Sequence, residues 1–229
     1  MTPKQRRSKT KYERERRRLH RLHLLENAAR ERGYLLVAGI DEVGRGPLAG
    51  PVIAACVVVS KPLMLPGLND SKQVRPEQRR RLAEQIKERA DAWAIGSASV
   101  AEIDRLNIYY ASVLAMERAI EALSCVPEYL FTDAIRIRSF AGPQEPLIKG
   151  DERCAVVAAA SIVAKVYRDA LLEQLDREDP RYGFAAHKGY STPEHIAALE
   201  RYGPCAHHRA NWARVQALML ELFSEPLHD

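Results

Sequence analysis

Two apolar runs, residues 35–40 and 51–60, are separated only by Asp41-Glu42-Val43-Gly44-Arg45-Gly46-Pro47-Leu48-Ala49-Gly50, and this junction does most to limit the folds open to the chain. Each run has strand length and turn residues at its borders, the signature of a buried β-strand. The second, PVIAACVVVS, is rich in β-branched residues and poor in polar ones, as strands covered on both faces are. The connection is too short for a helical crossover, so the two strands are expected as antiparallel neighbours at the centre of a sheet. Asp41 and Glu42 then fall at a strand end, where a buried carboxylate is costly unless it is paired or coordinated. Adjacent strand residues point to opposite faces, so the two can share a site only if the strand breaks here, and the glycines offer such a break.

Downstream, the pattern of an apolar run leading to a carboxylate recurs: residues 129–132 end at Asp133, and residues 144–148 lead through Lys149-Gly150 to Asp151. Residues 91–100 alternate small and apolar side chains like a further strand. Helical spacing marks residues 12–32, with Leu19, Leu22 and Leu25 as a narrow apolar stripe and Gly33 as the stop, and also residues 76–90, 101–106, 108–123, 193–201 and 212–223. The run CAVVAAASIVAKVYRDALLEQL predicts a long helix buried against the sheet. This is the make-up of an α/β fold, and open α/β sheets keep their chemistry at strand ends. Carboxylates gathered there need cations, and oxygen ligands with no His or Cys beside them suit Mg²⁺ or Mn²⁺ better than zinc. Two such ions can activate water and stabilise the leaving oxygen of a phosphodiester. Asp at strand ends also caps turns and helices, and spacing alone leaves both readings open.

Charge divides the chain. Residues 1–33 hold twelve Lys/Arg against four Glu, a net of +8 in a protein of net +5, so the remainder is slightly acidic. The division predicts a basic, partly helical N-terminal arm over residues 1–33 and a separate domain over 34–229 that includes the C-terminal helices. A basic arm is drawn to a polyanion such as nucleic acid, or is only a solvated tail. The four cysteines, Cys56, Cys125, Cys154 and Cys205, include no CxxC pair, which argues against zinc and disulfides and for a reduced, cytoplasmic setting. No apolar stretch approaches the roughly 18 residues of a membrane span, so no membrane is expected as a partner.

Gly44-Arg45-Gly46 fails as a dinucleotide loop, because the spacing to Gly50 is GxGxxxG and a strand follows. What remains is either a tight strand connection or a loop whose backbone approaches a ligand closely while Arg45 offers a cation.

The segment GIDEVGRGPLAGPVIAACVVV, followed in order by NDSKQV, EIDRLNIYYASVLAMERAI, the strand ending in Asp133, KGD, VAAASIVAKVYRD and HKGYSTPEH, resembles bacterial ribonuclease HII over most of residues 35–209. The resemblance implies a ribonuclease H-like fold, a mixed five-stranded sheet flanked by helices with a helical C-terminal part. It implies an endonuclease, expected as a monomer, that cuts RNA in RNA/DNA hybrids and cuts 5′ to ribonucleotides embedded in duplex DNA, leaving 3′-hydroxyl and 5′-phosphate ends, as ribonucleotide removal requires. Asp41, Glu42, Asp133 and Asp151 match the family's metal-binding acids, with Mn²⁺ or Mg²⁺ as cofactor. Gly44, Arg45 and Gly46 match the loop that contacts the 2′-hydroxyl region, and Tyr190 the tyrosine that stacks on the neighbouring deoxyribose. Ser71, Lys72, Lys149, Lys165 and Arg168 lie in matching motifs, as phosphate contacts or as salt-bridged residues, and Asp169 reads as structural. His187, His207 and His208 are not required by a hard-metal site. The chain departs from the pattern at Ala134-Ile135-Arg136, which lacks a glycine, and at Ala210-Asn211-Trp212, where a Ser-Phe pair is expected. No motif specifies the preferred ion or a partner such as a sliding clamp.

Overall fold

A computed structural model describes residues 3–217. The first elements are helices α1 (Pro3–Leu22) and α2 (Leu24–Glu31), then strands β1 (Val37–Val43) and β2 (Val52–Val59). Helix α3 (Pro76–Arg89), strand β3 (Ala92–Ala98), and helices α4 (Val100–Leu106) and α5 (Ile108–Glu121) follow. Strands β4 (Tyr129–Asp133) and β5 (Gln144–Leu147) precede the short helix α6 (Gly150–Arg153) and the long α7 (Ala155–Glu178). After a 3₁₀ turn, α8 (Phe184–His187) and α9 (Pro193–Tyr202) lead to the C-terminal segment. The expected helix over 212–223 runs beyond the described residues; within them residues 213–217 are helical.

The five strands form one mixed sheet in the order β3-β2-β1-β4-β5, antiparallel from β3 to β1 and parallel from β1 to β5. Strand residues alternate between two cores. Val37, Ile53, Ala55, Val57 and Phe131 pack under α7 and α3, while Ala38, Ile40, Ala54, Cys56 and Leu130 pack under α5. The Ala-rich sequence of α7 lets its backbone lie close to the sheet. At Gly39 a Cβ would overlap the backbone of Val156 and Val157, so only glycine fits there. A third cluster joins Leu48 and Ala49 of the glycine loop to Leu172 and Leu175 of α7 and to Tyr182, Phe184, Ile196 and Leu199 of the C-terminal part.

The N-terminal helix expected over 12–32 is broken. The break falls at buried His23, whose Nδ1–H donates to the Leu19 carbonyl (2.7 Å). The turn re-aims α2 so that Glu26, only 1% exposed, accepts a hydrogen bond from the Val156 N–H (2.7 Å). That N–H lies in the first turn of α7, whose N-cap residue Cys154 offers no side-chain cap. A carboxylate at this end also faces the positive pole of the helix dipole. Burial nevertheless raises the Glu26 pKa against the favourable charges of His23 and Arg30. All four cysteines are free, and no described helix is long and apolar enough to cross a membrane.

Candidate active site

Strand β1 does not break at the two carboxylates. Asp41 and Glu42 sit inside it, paired to Ala55 and Ala54 of β2. The break expected from the sequence is unnecessary because of what happens on the other edge. Pairing with β4 ends at Ile40 and Thr132, so β1 outruns its parallel neighbour and leaves Asp41 and Glu42 on an open strand edge. An edge without a partner strand lets side chains from both faces turn toward one space.

Asp133 ends β4, and its Oδ1 accepts the Gly150 N–H (2.8 Å) at the start of α6, which delivers Asp151. The turn between is tight. Ala134, following Asp133, adopts φ 55° and donates its N–H to the Leu147 carbonyl (2.9 Å). Left-handed backbone is unfavourable for a residue with a Cβ by about 1–2 kcal/mol. The glycine missing at 134 therefore has a physical consequence. Ala134→Gly is expected to raise stability by about 0.5–1 kcal/mol after the added freedom of the unfolded chain is deducted, read as a midpoint shift at unchanged slope in urea unfolding.

A cleft of about 330 Å³ is lined by Asp41, Glu42, Asp133 and Asp151 together with Gly44, Arg45, Gly46 and Tyr190; Ser71, Lys72, Ser161 and Lys165 complete its walls. Burial, then Glu42, Asp133 and Asp151, push the Asp41 carboxyl well above the ordinary range, with the Ser161 hydroxyl opposing. Burial likewise raises Glu42 against the stabilising charge of Arg45 at 3.2 Å. Asp151 is raised to about 6 by burial and by Asp70 and Asp133. Burial works against the Lys72 ammonium, yet Asp70, Asp151, Asp41 and Asp133 raise its pKa above the usual lysine value. So much mutual repulsion in one cleft calls for cations.

Among the described residues no three His, Cys, Asp or Glu side chains are set to close on one ion as they stand. Several carboxylate oxygens are taken by the protein: Asp41 Oδ1 by the Glu42 N–H (2.8 Å), Asp133 Oδ1 by Gly150, and Glu42 Oε1 by Arg45. Glu42 Oε2, in contrast, is buried without a hydrogen-bond partner. Four acids that offer only oxygen donors, one of them orphaned, suit a hard ion that keeps part of its water shell, as Mg²⁺ does.

The glycine loop is fixed from beneath by two arginines that are both 0% exposed. Arg168 donates to the carbonyls of Pro51 (3.1 Å), Ala49 (3.0 Å) and Lys188 (3.0 Å). Arg209 donates to those of Gly50 (2.7 Å), Arg45 (3.0 Å) and Gly44. Gly44 has φ +98°, and a Cβ there would strike Arg168 and the Pro51 carbonyl. Arg168, expected from the sequence as a phosphate contact or a salt-bridged residue, is instead a buried structural clamp on three carbonyls. Arg209 was not identified from sequence, where only its place beside His208 marked it. Asp70 was missed too. It is buried in the Asn69-Asp70-Ser71-Lys72 turn, where its Oδ1 accepts the Lys72 N–H (2.9 Å), and its charge acts on Asp151. Lys165 pairs with Asp169 (2.6 Å) while lining the cleft, and Asp169 also receives Arg79 (3.1 Å), a structural role as expected. Lys149 is exposed beside Glu152.

Tyr190 is 42% exposed with its ring facing Gly46, and its carbonyl is held from below. His195 Nδ1–H donates to that carbonyl (2.8 Å), so His195 Nε2 must accept from His208 Nε2–H (3.0 Å), while His208 Nδ1 accepts the Cys205 N–H (3.0 Å). Burial lowers both imidazoles to about 4, which keeps this one-directional chain neutral. The histidines thus support the cleft wall without entering it.

The family model described as Ribonuclease HII matches residues 38–215. A curated relative named Ribonuclease HII, from Solibacter usitatus, is 52% identical over 193 residues, 84% of this chain and 84% of its own. Among solved structures, the ribonuclease H2 from Pyrococcus horikoshii OT3 aligns with a TM-score of 0.71 at 25% identity, covering 83% of this chain and all of its own. A Bst-RNase HIII in complex with Mn²⁺ aligns with a TM-score of 0.67 at 22% identity, covering 89% of this chain and 72% of its own, a likeness of fold.

Proposed function

The chain belongs to the ribonuclease HII family and is an endoribonuclease of RNA/DNA hybrids, and from that premise we propose that it also cuts 5′ to single ribonucleotides embedded in duplex DNA, leaving 3′-hydroxyl and 5′-phosphate ends. The observation that carries this reading is the meeting, in one cleft, of four carboxylates from β1, β4 and α6 with the glycine loop and Tyr190. Asp41, Glu42, Asp133 and Asp151 would hold Mg²⁺ or Mn²⁺. When bound, such ions supply an activated water and charge stabilisation for the leaving oxygen.

The remaining steps belong to the protein. Gly44-Arg45-Gly46 brings backbone and one exposed cation to the ribose, where the 2′-hydroxyl is the single group that marks RNA. The Tyr190 ring packs on the next sugar and disfavours a hydroxyl there, which selects an RNA-to-DNA junction. Lys72, whose charge the surrounding carboxylates favour, places positive charge beside the phosphate path.

A duplex carrying one ribonucleotide, incubated with Mg²⁺ or Mn²⁺, should be cut on its 5′ side, and Tyr190→Ala should lower kcat/KM there at least about 10-fold more than on a continuous hybrid. Cutting of hybrids with no cutting at a single ribonucleotide would make the chain a hybrid-only ribonuclease. Binding without turnover under both ions would leave only a nucleic-acid-binding module.

A further inference from the structure

The nuclease reading leaves α1 unused, although it carries much of the chain's positive charge. Its last turns are anchored to the domain. Leu19 and Leu22 are buried in the same core as α7, Glu15 Oε1 accepts the Gly67 N–H (2.8 Å), and Arg18 pairs with Glu15 (2.8 Å). The helix also touches α6, which carries Asp151. It is therefore a fixed element over the stretch that follows Tyr12.

Arg14, Arg17 and Arg21 recur at helical spacing on the outward side of α1, all exposed and without an ion pair among the described residues. Two hollows run beneath this side. One of about 1140 Å³ lies between Arg14, Arg17, Arg18 and Arg21 and the segment at Pro66-Gly67. The next, of about 470 Å³, is lined by Arg18, Arg21, Asn69, Glu152 and Arg153. Asn69 precedes Ser71 and Lys72, and Glu152 follows Asp151, all of which line the cleft. The second hollow and the carboxylate cleft are thus two sides of the same two segments, and the basic surface leads away from the place of cutting.

Charge argues for what lies on it. The chain beyond residue 33 is slightly acidic and its cleft gathers carboxylates, so attraction for a polyanion must come largely from elsewhere. Residues 14 to 21 span roughly 10 Å of helix, against a duplex bearing one phosphate per roughly 3.4 Å on each strand. Three arginines can meet two or three phosphates there.

We propose that the Arg14-Arg17-Arg21 face of α1 binds the phosphate backbone of the duplex that flanks the cut, an extension that rests on the nuclease reading. Its contribution is affinity rather than chemistry, and it depends on substrate length.

The test uses the full chain with Arg14→Gln, Arg17→Gln and Arg21→Gln combined, the matching Arg→Lys triple, and two single-ribonucleotide duplexes of about 10 and about 30 base pairs. On the long duplex the Gln variant should raise KM about 10-fold or more at moderate salt and flatten the plot of log(kcat/KM) against log[NaCl] by about 2 to 3, with kcat unchanged. On the short duplex it should match wild type, and the Lys triple should restore the slope, since a point charge suffices for phosphate. Equal KM and slope on both lengths would overturn the proposal, as would an equal loss on both. Sedimentation of wild type but not the Gln triple with phosphatidylserine vesicles, at an unchanged duplex slope, would reassign the face to a membrane surface. If wild type cuts neither duplex, the nuclease reading fails, and fluorescence anisotropy of uncut duplex against both triples still decides the role of α1.

Discussion

Asp41→Asn is expected to lower kcat on an RNA/DNA hybrid by on the order of 10³-fold and, at the same time, to raise the melting temperature of the metal-free protein. The first effect follows from losing an anionic oxygen in a cleft proposed to bind cations. The second follows from the electrostatics of that cleft. Burial and Glu42 raise the Asp41 pKa, so the folded protein holds protons that the unfolded chain has released. Where the unfolded state binds fewer protons, stability falls as pH rises. The window opens at the ordinary carboxylate value near 4 and, for Asp151, closes at about 6. Metal-free wild type should therefore be more stable at pH 5 than at pH 7.5. Asparagine retains an oxygen to accept the Glu42 N–H and removes the charge, so the variant should melt measurably higher than wild type at pH 7.5. Differential scanning fluorimetry at both pH values, with EDTA and with Mn²⁺, reads this directly. Wild-type turnover by the variant would remove Asp41 from the proposed chemistry; a lower melting temperature would refute the electrostatic account alone.

Arg209→Met should be the most damaging change far from the carboxylates. It removes the donors for the Gly44, Arg45 and Gly50 carbonyls at a fully buried site and leaves those oxygens unsatisfied. A loss of about 3–5 kcal/mol is expected in urea unfolding, with melting lowered by roughly 6–20 °C. Activity at a temperature where the variant remains folded should also fall, mainly through KM, because Gly44-Arg45-Gly46 loses its fixed shape. Arg209→Lys should recover less than half of the stability, since an ammonium cannot reproduce the planar fork that reaches three carbonyls. A Met variant within 1 kcal/mol of wild type would show that water replaces the guanidinium at this site.

Much of the architecture is legible in the sequence because it is local. Apolar runs mark β1, β2 and β4, small-apolar alternation marks β3, and the Ala-rich run marks α7. The residues assembled in the cleft were nameable because each follows a strand or lies in a motif of the resemblance. What escaped was tertiary. The expectation of a strand break at Asp41-Glu42 came from alternation alone, whereas the opening arises because β4 stops pairing at Thr132, a fact about another strand. Arg168 and Arg209 carry charge, which in sequence reads as surface; their burial depends on carbonyls that converge from the glycine loop and from Lys188. Glu26 was one of four acids in a basic stretch, and nothing nearby in sequence announces that it caps a helix beginning at Ala155.

The separate core that ties Leu48 and Ala49 to Tyr182, Phe184 and Leu199 has a consequence for how the protein can vary. The carboxylates hang from the sheet and its two cores, while the loop and Tyr190 hang from this third one. On the roles proposed for the loop and Tyr190, substitutions that loosen this core should yield variants that still cut hybrids but choose their junctions poorly.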